Sequence, residues 1–368
     1  MKKMEKQNAK LVLKNGQEFS GQSFGFESVA QGEVVFTTGM TGFELSLTDP
    51  SFAGQILVFT FPLVGNFGVS DCSRDEFGIL RNFESERIWP AGVVLANCSE
   101  NFSHHSAQQS FASWLRENEI PAMCNVDTRA LTLLLRESGA MPGQIVPGNA
   151  QVGGEFRDCN AENLVASVAT KEVRTFTPKN FQKTILAVDT GVKNNILRHF
   201  LQRSIQVVLV PWDFSWQENE KDLPKIDGLF LANGPGDPRT ILPEIAATVN
   251  FAREKNLPIF GICLGNQLLN LVFGGEIFKM KFGNRGVNQP VQDLQTGKCL
   301  ITSQNHGFAI CPESIPQDFQ VWFRNLNDQS VEGIRHKSKP IFSVQFHPEA
   351  CPGPQESEFL FDQFAREL

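Results

Sequence analysis

Cys263 stands between two glycines in Gly261-Ile262-Cys263-Leu264-Gly265, at the end of an apolar run and the start of a helix-like one. The spacing is that of G-x-S-x-G with sulfur in place of oxygen, a tight strand-to-helix turn known as a nucleophile elbow. The flanking glycines let strand and helix backbones approach closely. The turn lifts the side chain above a sheet, and the helix N-terminus beside it favours a thiolate. Leu264, the next residue, offers its backbone N–H to a developing oxyanion. Such a nucleophile needs a partner for its proton. His347 and Glu349, in FSVQFHPEA (residues 342–350), follow a predicted strand. Residues two apart in an extended stretch point the same way. Glu349 would therefore orient His347, which would take the thiol proton and later give it to a departing amine.

A third segment completes the constellation. LANGPGDP (residues 231–238) follows a predicted strand and carries Gly234 and Gly236. A glycine-rich loop in this place could cradle phosphate. No G-x-x-x-x-G-K-[ST] occurs in the chain, so the better reading is that Gly234 or Gly236 supplies a second oxyanion donor. Each feature alone is bland, since a lone buried cysteine or a lone His-x-Glu is usually structural. Their weight lies in occurring together. His104 and His105 have no third metal ligand spaced nearby and read as a solvated loop. No metal site is expected. His306, without a carboxylate paired to it in sequence, reads as structural or adjacent to substrate and not as the base.

These groups must be held by a sheet. TILAVD (184–189), IQVVLVP (205–211), DGLFLANG (227–234) and PIFGIC (258–263) are short apolar runs of the kind buried parallel strands show. Helix-like stretches lie between them at VKNNILRHFLQRS (192–204) and TILPEIAATVNFAREKN (240–256). The alternation predicts a doubly wound α/β sheet, mostly parallel, with chemistry at the carboxyl ends of its strands. Past Gly275 the helices fade. GKCLITSQ, FQVWFR, VEGIRH and PIFSVQF predict an antiparallel extension. Before the sheet, the first 150 or so residues are rich in glycine and short β-like runs, with one clear helix in DTRALTLLLRESGAM (127–141). That helix is capped by Asp127 or Thr128 and stopped by Gly139. The division expected is a β-rich α/β domain over 1–155, a connector over 156–182 and the doubly wound domain over 183–368.

The bulk composition narrows the class. The chain has 368 residues, too many for one core, and 41% hydrophobic with 20% charged residues is ordinary for a globular protein. A formal charge of −7 argues against a general grip on nucleic acid or an anionic membrane. No apolar stretch is long enough to span a membrane, and the first residues lack the apolar core of a signal peptide, so a cytoplasmic protein is expected. The eight cysteines are scattered without a C-x-x-C pair, which suggests neither a disulfide framework nor zinc.

On these residues the C-terminal half resembles the class I glutamine amidotransferases, through NGPGDP (233–238), GICLGNQLL (261–269), QNHGFA (304–309) and FHPEACPGP (346–354). GEVVFTTGMTGFELSLTDPSFAGQI (32–56), FPLVGNFGV (61–69) and VDTRALTLLLRESGAM (126–141) extend the likeness to the small-subunit family of carbamoyl-phosphate synthetases, over nearly the whole chain. The resemblance implies that Cys263 attacks the side-chain amide of L-glutamine, with His347 and Glu349 as partners. It implies that Ser51, Gly234, Gly236, Leu264, Gln267, Asn305, Gly307 and Phe308 bind the glutamine. It also implies a large synthetase subunit as partner, using ATP and magnesium on that subunit, with no cofactor in this chain. Alternatives from other classes are a non-catalytic glutamine-binding regulatory subunit and a free-standing γ-glutamyl hydrolase. Three departures from the family stand out. Asn266 occupies a position where histidine is usual. Phe43, Phe52, Phe61 and Phe67 stand where tyrosine is common, in a chain with 32 phenylalanines and no tyrosine. Cys351 replaces a usual serine.

Overall fold

A computed structural model describes residues 7–148 and 150–368. The chain forms two compact units. One comprises the chain up to Ser73 with Leu80–Asn160, the other Arg74–Ile79 with Ala161–Leu368.

The N-terminal unit is built on a closed barrel, which its short glycine-rich strands did not announce. Seven strands run round it in the order Asn8–Leu13, Met141–Pro147, Ala30–Thr37, Gln55–Phe59, Gly92–Val94, Ala122–Cys124 and Glu18–Ser23. Pairing is parallel from Ala30–Thr37 through Gln55–Phe59 and Gly92–Val94 to Ala122–Cys124, and antiparallel elsewhere. Alternate residues serve two apolar clusters. Val34, Ile56, Val58 and Val94 belong to one. Val35, Leu57, Phe59 and Val93 belong to the other. Closure leaves no open edge. The predicted helix spans Thr128–Ser138, with the Asp127 carboxylate accepting the Ala130 N–H and Gly139 ending it. GMTGFELSLTDPSF carries no strand past Thr37; it holds the short helix Phe43–Leu47 and the 3-10 turn Pro50–Phe52. Of the four phenylalanines at usual tyrosine positions, Phe43 and Phe52 are buried and Phe67 is exposed. Phe43 packs edge-on against Phe59 at 5.1 Å, a contact that needs no hydroxyl.

The C-terminal unit carries a ten-stranded sheet. Its central five strands are parallel, in the order Ile205–Pro211, Lys183–Asp189, Gly228–Leu231, Ile259–Ile262, Ile341–Val344. Beyond them lie Val331–His336, Cys299–Ile310, Ile277–Asp293 and Phe319–Asn325, all antiparallel. The strand in PIFSVQF was expected in that extension. It is instead the fifth parallel strand, in register with Ile259–Ile262, because a buried apolar run reads alike in either setting. The stretch read as a connector contributes the edge strand Arg174–Phe176, antiparallel to Ile205–Pro211. The chain also ends in a helix, Phe359–Glu367, although helices were expected to fade after Gly275. Its Leu360, Phe361 and Phe364 supply the apolar stripe.

Helices cover both faces of the parallel strands. Ile185, Ala187, Val207 and Phe230 face Ile196 and Phe200 of helix Asn194–Gln202 and Phe361 and Phe364 of the last helix. Leu186, Val188, Val208 and Leu229 face Ile245 and Val249 of helix Leu242–Glu254 and Leu268 and Leu269 of helix Leu264–Val272. This period-two division fixes the register, since a one-residue slip would exchange the faces. The carboxyl ends of four parallel strands therefore end in four loops at one rim. Those loops begin at Thr190, Ala232, Cys263 and Gln345.

Candidate active site

Cys263 links strand Ile259–Ile262 to helix Leu264–Val272, and its backbone is left-handed, with φ 54° and ψ −102°. A non-glycine residue in such a conformation is strained and persists only where its surroundings over-determine it. They do so here. The Cys263 N–H donates to the Val344 carbonyl at 2.8 Å, and its own carbonyl accepts from Asn266 N at 3.1 Å. Gly265 packs the helix onto strand Gly228–Leu231. A Cβ there would lie 2.3 Å from the Leu231 carbonyl oxygen, so only glycine fits. Leu264 is the first residue of the helix, and its N–H is one of those a helix leaves without an intrahelical acceptor.

His347 follows strand Ile341–Val344 and is held by its backbone N–H, which donates to the Ser303 carbonyl at 2.9 Å. Its Nδ1 lies 2.6 Å from Glu349 Oε1. The two residues were expected on an extended stretch. They lie instead on a turn, in which Ala350 N–H donates to the His347 carbonyl at 3.1 Å. The strand ends at Val344 and the turn, not a pleat, brings the carboxylate back to the ring. Nε2 of His347 has no hydrogen-bond partner among the described residues. The Cys263 thiol donates to the Asn305 carbonyl, at a sulfur–oxygen distance of 3.6 Å.

Sequence reasoning missed Lys193. It ends the loop after strand Lys183–Asp189, and its side chain is 4% exposed. Nζ donates to Glu349 Oε1 at 3.0 Å and to the Ala350 carbonyl at 2.6 Å. Asn195 adds a bond to the Glu349 carbonyl. No motif marked this lysine, because an isolated lysine before a helix reads as solvated.

The electrostatics follow from burial and these partners. Burial works against charge on both His347 and Glu349, and their neighbours overcome it. Glu349 is held below the ordinary carboxylate range by the Lys193 ammonium and by His347. His347 is pushed well above the ordinary histidine range by the Glu349 carboxylate and the sulfur of Cys263. The site thus stabilises the imidazolium that forms beside the sulfur when the thiol gives up its proton.

Around this core the structure gathers most of the expected contact residues. A Cβ on Gly234 would lie 2.0 Å from the Thr190 carbonyl oxygen and 2.9 Å from Leu264 Cδ2, so the NGPGDP loop closes directly on the elbow. Gly236 follows, with φ 82°. Gln267 donates its amide to the Phe308 carbonyl and to Gln345 Oε1, both at 3.0 Å. The Phe308 ring is buried, with Lys279 Nζ 4.7 Å and the Arg239 guanidinium carbon 5.9 Å from its centroid. Asn305 presents its carbonyl to the sulfur, and Gly307 lies against Lys279 and Arg285. Ser51 belongs to the N-terminal unit, buried in the turn Pro50–Phe52, with its N–H donating to the Asp49 carboxylate at 2.9 Å. Asn266, at the usual histidine position, is fully buried; its amide donates to Gln345 Oε1 at 3.3 Å and its oxygen accepts from Ser343 Oγ at 2.9 Å. His306, within the Asn305–Phe308 segment, is buried and does have a carboxylate close by, Glu332, which its sequence neighbours do not reveal.

Glu349→Gln keeps the shape but loses the charge that holds the imidazole. It is expected to lower kcat by about 10²–10⁴-fold with a smaller change in KM. Steady-state kinetics on folded protein checks this, and an unchanged kcat would remove Glu349 from the site.

Two family models match the chain. "Carbamoyl-phosphate synthase small chain, CPSase domain" covers residues 11–145 and "Glutamine amidotransferase class-I" covers residues 186–366. The carbamoyl phosphate synthase small chain of Pyrococcus furiosus is 45% identical over 363 residues, covering 97% of each chain. The arginine-specific small chain of Neurospora crassa is 44% identical over 359 residues, covering 97% of this chain and 79% of that one. The multifunctional protein pyr1-3 of Dictyostelium discoideum is 45% identical over 372 residues. There the match covers 96% of this chain but spans only 16% of the relative. With both halves matched in order and relatives aligned nearly end to end, the chain belongs to the carbamoyl-phosphate synthase small-chain family, its C-terminal part a class I glutamine amidotransferase domain.

Proposed function

We propose that this protein is the glutamine-hydrolysing subunit of a carbamoyl-phosphate synthetase. The observation that carries the reading is Cys263 on a strained elbow with His347, Glu349 and Lys193 assembled in line behind it. Cys263 gives its proton to His347 and attacks the side-chain carbonyl carbon of L-glutamine. The carbonyl oxygen becomes an oxyanion, met by the N–H groups of Leu264 and Gly234. As the intermediate collapses, the C–N bond breaks and His347 protonates the departing nitrogen, which leaves as ammonia. A γ-glutamyl thioester remains on Cys263. Water then attacks it with His347 as base, releasing glutamate and restoring the thiol. Lys193 holds Glu349 and Glu349 holds the ring, so neither bonds to substrate. Gln267 spends its amide N–H groups on Phe308 and Gln345, which leaves its oxygen as an acceptor for a substrate N–H.

The ammonia passes to a large subunit that uses ATP, magnesium and bicarbonate to make carbamoyl phosphate. The protein acts in the cytoplasm, where its eight cysteines, scattered without a C-x-x-C pair, would stay reduced. A non-catalytic glutamine-binding subunit would have no need of the full nucleophile, base and carboxylate set. A free-standing γ-glutamyl hydrolase would leave the barrel unit without a use.

Ammonia release from glutamine, measured with and without a large subunit, tests the reading. Slow release by the protein alone is expected, rising by about 5–150-fold on addition of the partner, the usual range for coupled sites. Glutamine hydrolysis indifferent to any large subunit would favour the free-standing hydrolase, and no hydrolysis in either case would favour the regulatory subunit.

A further inference from the structure

Around His306 lies a second buried polar cluster, which hydrolysis itself does not use. Its centre is Glu332, fully buried on strand Val331–His336. Oε1 accepts from Asn325 Nδ2 at 3.3 Å and lies 3.1 Å from Ser330 Oγ. Oε2 has no hydrogen-bond partner among the described residues. No lysine or arginine forms an ion pair with Glu332 among them; its one ionisable contact at that range is His306 Nε2, 3.9 Å from Oε1.

The hydrogen-bond pattern around His306 is short of a proton. Nδ1 lies 2.8 Å from the Phe308 carbonyl, which can only accept, so Nδ1 carries the hydrogen and Nε2 a lone pair. That lone pair faces Gln304 Oε1 at 3.2 Å, while the Gln304 amide nitrogen donates to Thr302 Oγ1. Two acceptors and an unsatisfied carboxyl oxygen thus share one dry pocket. Ser330 has one hydroxyl hydrogen, which Asp328 takes at 2.6 Å, so a proton on Glu332 lets Oε1 donate to Ser330 Oγ at 3.1 Å. The charged groups facing the cluster favour it. Asp328, on the turn before the strand, takes hydrogen bonds from Ser330 and Asn284 and keeps its negative charge low in the pH range. A second negative charge beside it is disfavoured. On His306, burial, Arg285 and His347 disfavour a second proton and outweigh the Phe308 hydrogen bond and Asp328, which favour one. Burial pushes Glu332 up to about 8 and His306 down to about 4.

The consequence reaches the nucleophile. The Phe308 carbonyl takes two hydrogen bonds, from His306 Nδ1 and from Gln267 Nε2 at 3.0 Å. Three residues back along the same segment, the Asn305 carbonyl takes the Cys263 thiol. We propose that Glu332 is a positioning residue that works as an uncharged carboxylic acid, fixing the hydrogen-bonded state of His306 and so holding Asn305 and Phe308 in the shape glutamine requires. This inference rests on the glutaminase reading of the site.

The test compares the full-length wild type with Glu332→Gln and Glu332→Ala, by glutaminase kinetics from pH 6 to 9.5 and by thermal unfolding over the same range. Glu332→Gln keeps an uncharged hydrogen-bond donor. It is expected to retain most of kcat/KM at pH 7 and to lack the decline that the wild type shows above about pH 8. Glu332→Ala strands buried polar groups and is expected to raise KM for glutamine by about tenfold or more, with kcat moved far less. Unfolding reads the proton without reference to catalysis. A carboxyl held at about 8 in the fold, against 4.5 ordinarily, loses stability as the pH rises between those values. The Tm of Glu332→Gln should therefore gain on the wild type from pH 6 to 8. A constant Tm difference, or the same alkaline decline in both proteins, means that Glu332 is an ion and overturns the proposal. So does a Glu332→Gln as impaired as Glu332→Ala, or a Glu332→Ala with unchanged KM. If the wild type hydrolyses no glutamine, the glutaminase reading fails and the positioning role with it, while the unfolding series still reports whether Glu332 holds its proton.

Discussion

Cys263→Ser is expected to lower glutamine-dependent ammonia release by about 10³–10⁶-fold, the range seen when a covalent nucleophile is removed. A serine hydroxyl is far less acidic than a thiol, so His347, placed to take a thiol proton, is poorly matched to deprotonate it. The substitution removes little volume. The strained φ of 54° is imposed by the Val344 and Asn266 hydrogen bonds and by the tight Gly265 packing, none of which involves the sulfur. Folding should therefore survive. In complex with a large subunit, synthesis from free ammonia should persist, because that chemistry belongs to the partner. Circular dichroism, ammonia release and ammonia-dependent synthesis together separate loss of the nucleophile from loss of the fold. Hydrolysis at the wild-type rate would mean that the nucleophile is misassigned.

Lys193→Met carries the second-largest expected effect. The methionine fills the space of the lysine stem but leaves Glu349 buried without its ammonium. Breaking a buried ion pair from one side costs about 3–5 kcal/mol. The pH dependence has a definite sign. A carboxylate held below its ordinary value contributes stability that is present above the unfolded pKa and lost as pH falls through the folded one. For Glu349 that contribution is in place above about pH 4.5 and disappears on acidification. Without Lys193 it shrinks, so the acid-unfolding midpoint of the variant should move to higher pH. His347 also loses part of its orientation, and kcat should fall with KM less affected. A variant as acid-stable and as active as the wild type would show that Lys193 is an ordinary solvated lysine.

The sequence spoke most clearly where chemistry and backbone geometry demand the same residues. Gly261 and Gly265 are required by close approach, so the elbow is legible from residue types and spacing alone. Asp127 and Gly139 marked their helix for the same reason, since each end satisfies a specific backbone need. His347 and Glu349 were identified through their spacing, although a turn and not a strand joins them. Contacts made by residues far apart in the chain were not legible. Lys193 meets Glu349 across 156 positions, and neither carries a local signature of the other. Glu332 and His306 meet through the antiparallel half of the sheet, where the long strand Ile277–Asp293 runs through glycines and a proline with two irregularities of register. Such a strand has no clean alternation to read. The barrel escaped for a related reason: three-residue strands such as Gly92–Val94 and Ala122–Cys124 are too short for a period to declare itself.

The mechanism turns on one exchange, in which the amide nitrogen of glutamine gives way to sulfur at Cys263. Rapid acid quench during turnover, followed by peptide mass mapping, reads that exchange directly, ideally in Glu349→Gln, where slowed deacylation should let the thioester accumulate. One γ-glutamyl group is expected on the peptide containing Cys263, absent from Cys263→Ser and lost on returning the quenched protein to mild alkali. Steady glutamine hydrolysis with no adduct on Cys263 under these conditions, or with the adduct on another cysteine, would contradict the thioester route.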